Sequence, residues 1–79
     1  MQVHVKLYGT LGKHVAGYDH RRGPAVDVPG DATVTDLLSQ LAVPLKRVGV
    51  VSVNGRLVGR SAPFEAGALV KVFHPIFGG

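Results

Sequence analysis

The sequence predicts an α+β fold in which one main helix packs across one face of a mixed, four- or five-stranded sheet. Three observations lead there. Short apolar segments alternate with period two along the chain, a single segment switches to helical spacing, and an Asn-Gly dipeptide joins two of the apolar runs. At roughly 100–200 residues per domain, a chain of 79 residues has room for one globular unit. A composition 46% hydrophobic and 18% charged suits a chain that folds around a core.

Val3, Val5 and Leu7 alternate with His4, Lys6 and Tyr8, which predicts a half-buried strand over residues 2–8. Residues 9–24 read as a long loop rich in glycine and in basic residues. Leu11 and Val15, four apart, suit one helical turn inside it. A short strand follows at 25–28, with Val26 and Val28 on one face and Asp27 on the other. Thr33 then stands where an N-cap belongs, and Asp36 three residues on completes a near capping box. Val34, Leu37, Leu38 and Leu41 form one apolar stripe, and Pro44 ends the helix near residue 42 after about ten residues. Such a helix is too short to stand alone in water and depends on packing against the sheet.

Residues 48–53 read as a well-buried, valine-rich strand. Asn54-Gly55 then suits a type I′ turn, which needs positive φ at both central residues, and the chain returns over 56–58. A turn-rich connection at 61–67 leads to a last strand at 69–73. Val70 and Val72 share one face there, and Leu69, Lys71 and Phe73 the other. Residues 74–79 run out as a tail.

Several function classes are excluded or disfavoured by what the chain contains. Without cysteine there is no disulfide, no thiolate metal site and no cysteine nucleophile. His4, His14, His20 and His74 lack ligand spacing, Ser39, Ser52 and Ser61 lack a nucleophile motif, and no phosphate-binding glycine loop is present. No bound cofactor and no metal site is therefore expected, nor catalysis by the chain's own side chains. Nine Lys and Arg against five Asp and Glu give a net charge of +4. Those charges are scattered, however, with only Tyr18 interleaving the densest group at 13–22, which argues against a nucleic-acid surface. Neither a membrane-length apolar run nor a signal-peptide layout is present, so a cytoplasmic protein is expected.

The informative feature is the ending, Gly78-Gly79. Glycine is a poor residue for an ordered terminus, because it loses the most backbone entropy on folding. It suits a backbone that another protein must thread through a narrow slot, since no Cβ hinders approach to the final carboxylate. The reactive group would then be the main-chain carboxylate of Gly79, activated by a separate enzyme. This divides the chain into a folded part, 1–77, and a reactive tail, 78–79.

Four stretches together resemble a known family: L-Y-G-T-L at 7–11, D-A-T-V-T-D-L-L at 31–38, V-V-S-V-N-G-R at 50–56, and F-E-A-G-A-L-V-K-V-F-H-P-I-F-G-G at 64–79. In order and ending they resemble the ubiquitin-like β-grasp proteins of the sulfur-carrier branch, the MoaD/ThiS family. The resemblance implies that an E1-like enzyme adenylates the terminal carboxylate with ATP. A sulfur donor then converts it to a thiocarboxylate at Gly79, with Gly78 as the slim residue behind it. The sulfur would pass to molybdopterin or tungstopterin assembly through a synthase large subunit, to a thiazole synthase, or to tRNA thiolation. Pro75, Ile76 and Phe77 in the tail, with Phe73 and Leu57 on the sheet, are the expected partner-binding residues. Val58 and Leu69 are further candidates for that face. Departures from the family pattern stand at Gly67-Ala68, often Gly-Asp, and at Phe77, often small or polar. The positive net charge also differs from the commonly acidic members, so an acidic partner surface or an apolar docking face is expected. Two other readings are carried beside this one: a protein modifier joined to lysines through Gly79, and a non-catalytic interaction or RNA-binding module.

Overall fold

The computed structural model describes residues 1–14 and 23–75. Most of the basic 13–22 segment, like the tail residues Ile76, Phe77, Gly78 and Gly79, lies outside the described residues. The strands are β1 (Gln2–Leu7), β2 (Ala25–Asp27), β3 (Val51–Val53), β4 (Arg56–Val58) and β5 (Leu69–Val72), and the α-helix is α1 (Val34–Gln40). Short 3₁₀ turns occupy Gly9–His14 and Leu45–Arg47. The sheet is five-stranded in the order β2-β1-β5-β3-β4. Only the β1–β5 pair is parallel among these strands, which makes the sheet mixed as expected.

The alternation read from the sequence is the alternation of burial. Val3, Val5 and Leu7 of β1 and Val70 and Val72 of β5 are fully or almost fully buried. They face Val34, Leu37 and Leu38 of α1 within a single cluster that also takes in Leu11 and Phe64. Burial at about 25 cal/mol per Å2 of apolar surface is what holds so short a helix in place.

Both ends of α1 are chemically closed. Thr33 accepts from the Asp36 N–H at 3.4 Å, and its own N–H donates to Asp36 Oδ2 at 2.9 Å, so the capping box forms with the shorter acid. The Val34 and Thr35 N–H groups donate to the carbonyls of Ala62 and Arg60, leaving no orphan donor in the first turn. At the other end the helix stops after seven residues, not ten. Ala42 there takes a left-handed conformation (φ 59°). Its N–H donates to the Ser39 carbonyl, and that of Val43 to Leu38, which is a Schellman closure. Pro44 therefore follows a stop that the backbone has already made.

The Asn54-Gly55 turn has positive φ at both residues, 51° and 86°, as a type I′ hairpin requires. The strand before it is shorter than expected, Val51–Val53 and not 48–53, and Val50 is 51% exposed. The reason is a β-bulge. The Gly49 N–H donates to the Phe73 carbonyl while the Phe73 N–H donates to the Val50 carbonyl, so two residues answer one. The extra residue turns Val50 outward while Val48 and Val51 on either side stay buried. Strand β2 ends at Asp27 and β5 at Val72, each one residue earlier than the sequence reading.

Candidate functional site

The feature to be placed is the start of the tail, and the sheet order places it. β5 is the central strand, flanked by β1 and β3, so the chain leaves the middle of the sheet at Phe73. Phe73 points away from the helix, opposite in direction to Val72, and stacks on Tyr8 with ring centroids 4.6 Å apart and planes 14° from parallel. Offset stacking of two such rings adds about 0.5–1.5 kcal/mol beyond their area.

His74 and Pro75 do not run free, as the sequence reading had them. Register extended from Leu7↔Val72 sets Gly9 beside His74, and extended from Val51↔Val72 it brings Gly49 to the other side. Both neighbours are glycines in close contact. A Cβ on Gly9 would fall inside the imidazole of His74. A Cβ on Gly49 would lie 2.8 Å from Pro75 Cα and 2.9 Å from Pro75 N, far inside contact distance. The His74 Nδ1 lies 3.0 Å from the Pro75 carbonyl oxygen, so a proton on Nδ1 closes a hydrogen bond there.

The helix-free face of the sheet carries the remaining candidates. Leu57 of β4 is 72% exposed and stands in register with Ser52 and, through it, with Lys71. Val50, exposed by the bulge, adjoins Phe73 beside a shallow groove lined by Gly49, Val50, Phe73, His74 and Pro75. Lys6, paired in register with Lys71, adds positive charge to the same face. Leu69 and Val58 are half-buried, and Val58 packs against the core rather than joining this surface. Of the residues named from sequence, Phe73 and Pro75 share the groove at the exit, whereas Leu57 stands on the helix-free face in register with Lys71, away from that groove. Sequence reasoning missed Val50, Gly9 and Gly49, whose signal was confined to a Val-rich run and two unremarked glycines. Among the described residues no three His, Cys, Asp or Glu side chains gather as a metal site, and no helix is long and apolar enough to cross a membrane.

Known proteins with this arrangement identify the family. The sequence pattern of the Mut7-C ubiquitin family matches residues 1–78. The chain belongs to that family. SAMP1 from Haloferax volcanii is 31% identical over 100% of both chains and superposes with a TM-score of 0.73. A protein described as subunit 1 of molybdopterin converting factor from Pyrococcus furiosus is 22% identical, covers 95% of this chain and 98% of its own, and has a TM-score of 0.70. A chain from the complex of subunits 1 and 2 of molybdopterin-converting factor from Helicobacter pylori is 17% identical over 100% of both chains, with a TM-score of 0.64. At those two identities the likeness is one of fold. No curated protein matches the chain in sequence. This Mut7-C ubiquitin chain thus has the MoaD/ThiS-like, ubiquitin-like β-grasp that the residues 7–11, 31–38, 50–56 and 64–79 resemble.

Proposed function

We propose that this protein is a sulfur carrier whose working group is the carboxylate of Gly79, on a two-residue reactive tail (78–79) behind a folded part ending at 77. The supporting observation is that the sheet's central strand delivers an exit at Pro75, two residues short of the Gly78-Gly79 pair, in a chain of ubiquitin-like fold. A free carboxylate is an anion that resists attack by nucleophiles. An E1-like enzyme would join it to the α-phosphate of ATP, forming the acyl-adenylate and releasing pyrophosphate. Hydrosulfide-level sulfur from a donor then attacks the carbonyl carbon. The new C–S bond forms as the C–O bond to AMP breaks, leaving a thiocarboxylate. Gly78 and Gly79 admit this because neither carries a Cβ beside the reacting carbon.

Leu57, Val50 and Phe73 on the sheet, with Pro75, Ile76 and Phe77 along the tail, are the residues assigned to partner contact. The partners are the activating enzyme, a sulfur donor and the acceptor, a pterin-synthase large subunit or a thiazole synthase. The pterin route is supported by the fold shared with subunits of molybdopterin-converting factor, one of them solved with its subunit 2. The chain itself supplies no catalytic side chain in this scheme, binds no cofactor, and works in the cytoplasm.

A second reading has its own support in the 31% identity to SAMP1, another structure of which is described as small archaeal modifier protein 1. In that reading the same acyl-adenylate passes to lysine amines of target proteins. One experiment separates the two. The full chain is expressed with the E1-like enzyme of its own organism, ATP and a sulfur source. A gain in intact mass equal to the oxygen-to-sulfur difference supports the carrier. Conjugates that survive denaturing, reducing conditions and vanish on removal of Gly78-Gly79 support the modifier. An unchanged mass with an active enzyme and no conjugates refutes both.

A further inference from the structure

We infer that Gly9 and Gly49 are positioning residues: two bare jaws that hold the base of the tail and thereby aim Gly79. The inference rests on the reading of Gly79 as the reacting end. It adds two residues distant in sequence from that end.

Four virtual bonds separate Pro75 from Gly79, so at about 3.3–3.6 Å per residue the carboxylate can range to roughly 14 Å from its pivot. If the pivot turned freely, the terminus would search a large volume, and docking of the folded part would do little to deliver it. Fixing the pivot narrows that search at no cost at the moment of reaction, because the order is already present in the folded chain. A misplacement of about 1 Å at a reacting centre can lower a rate about 100-fold.

Both sides of the exit are built for this. On the β1 side Gly9 sits at φ 64°, and the imidazole of His74 occupies the space a side chain would need. On the β3 side Gly49 is not in the left-handed region, so nothing about its backbone conformation demands glycine. Contact does: its Cα lies against the Pro75 backbone, which cannot swing aside as a long side chain would. The bulge formed by Gly49 and Val50 sets this contact, since the Gly49 N–H grips the Phe73 carbonyl at 2.7 Å immediately before the exit. By contrast Gly59 has no atom within 4 Å of an added Cβ and supplies a matched control.

The test is Gly49→Ala in the full chain, with Gly59→Ala and removal of Gly78-Gly79 beside it. First, backbone amide spectra locate the change. Gly49→Ala is expected to keep the β1 and β2 signals of the folded protein and to move those of residues 73–77. Second, adenylation by the organism's own E1-like enzyme is followed by ATP–pyrophosphate exchange. Gly49→Ala is expected to lower kcat about tenfold or more, a larger factor than any accompanying rise in KM from the shifted groove, because delivery of the terminus suffers more than contact with the sheet. A purely structural role would not split the two constants. If Gly49→Ala does not fold, His74→Ala replaces it: this removes the ring from the Gly9 jaw without adding an atom, and a fall in kcat of about threefold or more is expected. A folded variant of either kind with kcat within twofold of the parent, while tail removal abolishes exchange, overturns the jaws and leaves the Gly79 reading standing. Exchange that survives tail removal overturns the Gly79 reading and the inference with it.

Discussion

Ala42→Gly is expected to stabilise the protein, and the structure says by how much. Ala42 is exposed and closes α1 in the left-handed region at φ 59°. Its Cβ lies outside the core cluster and contributes little burial, while an L-residue in that conformation costs about 1–2 kcal/mol. Glycine removes that cost but brings about 0.4–1 kcal/mol of extra freedom to the unfolded chain. The balance is a gain of about 0.5–1 kcal/mol. For a protein of this size that corresponds to a rise in Tm of about 2–8 °C. Urea titration followed by far-UV circular dichroism is the suitable assay, with the parent and variant compared at equal m-value. The closing hydrogen bonds from Ala42 and Val43 to Ser39 and Leu38 involve only the backbone and should persist. An unchanged or lowered midpoint at constant m would show that the helix does not end in this left-handed closure, and the account of its seven-residue length would fail.

Three further substitutions probe the core, the hairpin and the outer face. Leu37→Ala empties a fully buried position under the sheet and should cost roughly 3–5 kcal/mol in the same titration. Asn54→Ala should cost about 1–2 kcal/mol, because it loses the 2.9 Å bond from the Leu69 N–H to Asn54 Oδ1 and places alanine at φ 51°. Leu57→Ala should leave stability within about 0.5 kcal/mol, since the side chain is 72% exposed. If Leu57 meets the activating enzyme, the same change raises KM for the carrier severalfold with kcat retained, which initial-rate measurements of pyrophosphate exchange would resolve.

The parts of the fold legible in the sequence are those written in local spacing. Val3, Val5 and Leu7 announce their strand, the stripe from Val34 to Leu41 announces the helix, and Asn54-Gly55 announces its own turn geometry. What escaped depends on partners distant in the chain. The bulge at Gly49 and Val50 exists because of how that segment meets Phe73, and no property of a valine run reveals it. Nor does alanine advertise the left-handed stop at 42, since its usual conformations are helical and extended. The candidate site divides the same way. Leu57, Phe73, Pro75 and the terminal glycines could be named from type and order, whereas Gly9 and Gly49 acquire meaning only once β5 is threaded between their strands. His74 and Pro75 read as a loose end for the same reason.

That threading has a consequence for synthesis. Among the described strands, a nascent chain stopped before residue 69 contains only the native pairs β1 with β2 and β3 with β4, and none of the ladders that connect them. The strand that joins them, β5, is also the one from which the chain leaves the sheet at Phe73. Completion of the sheet and, under the proposed function, display of the reacting end are thus a single event on the ribosome's timetable, and a product ended before residue 69 would offer an activating enzyme neither the joined sheet nor the substrate.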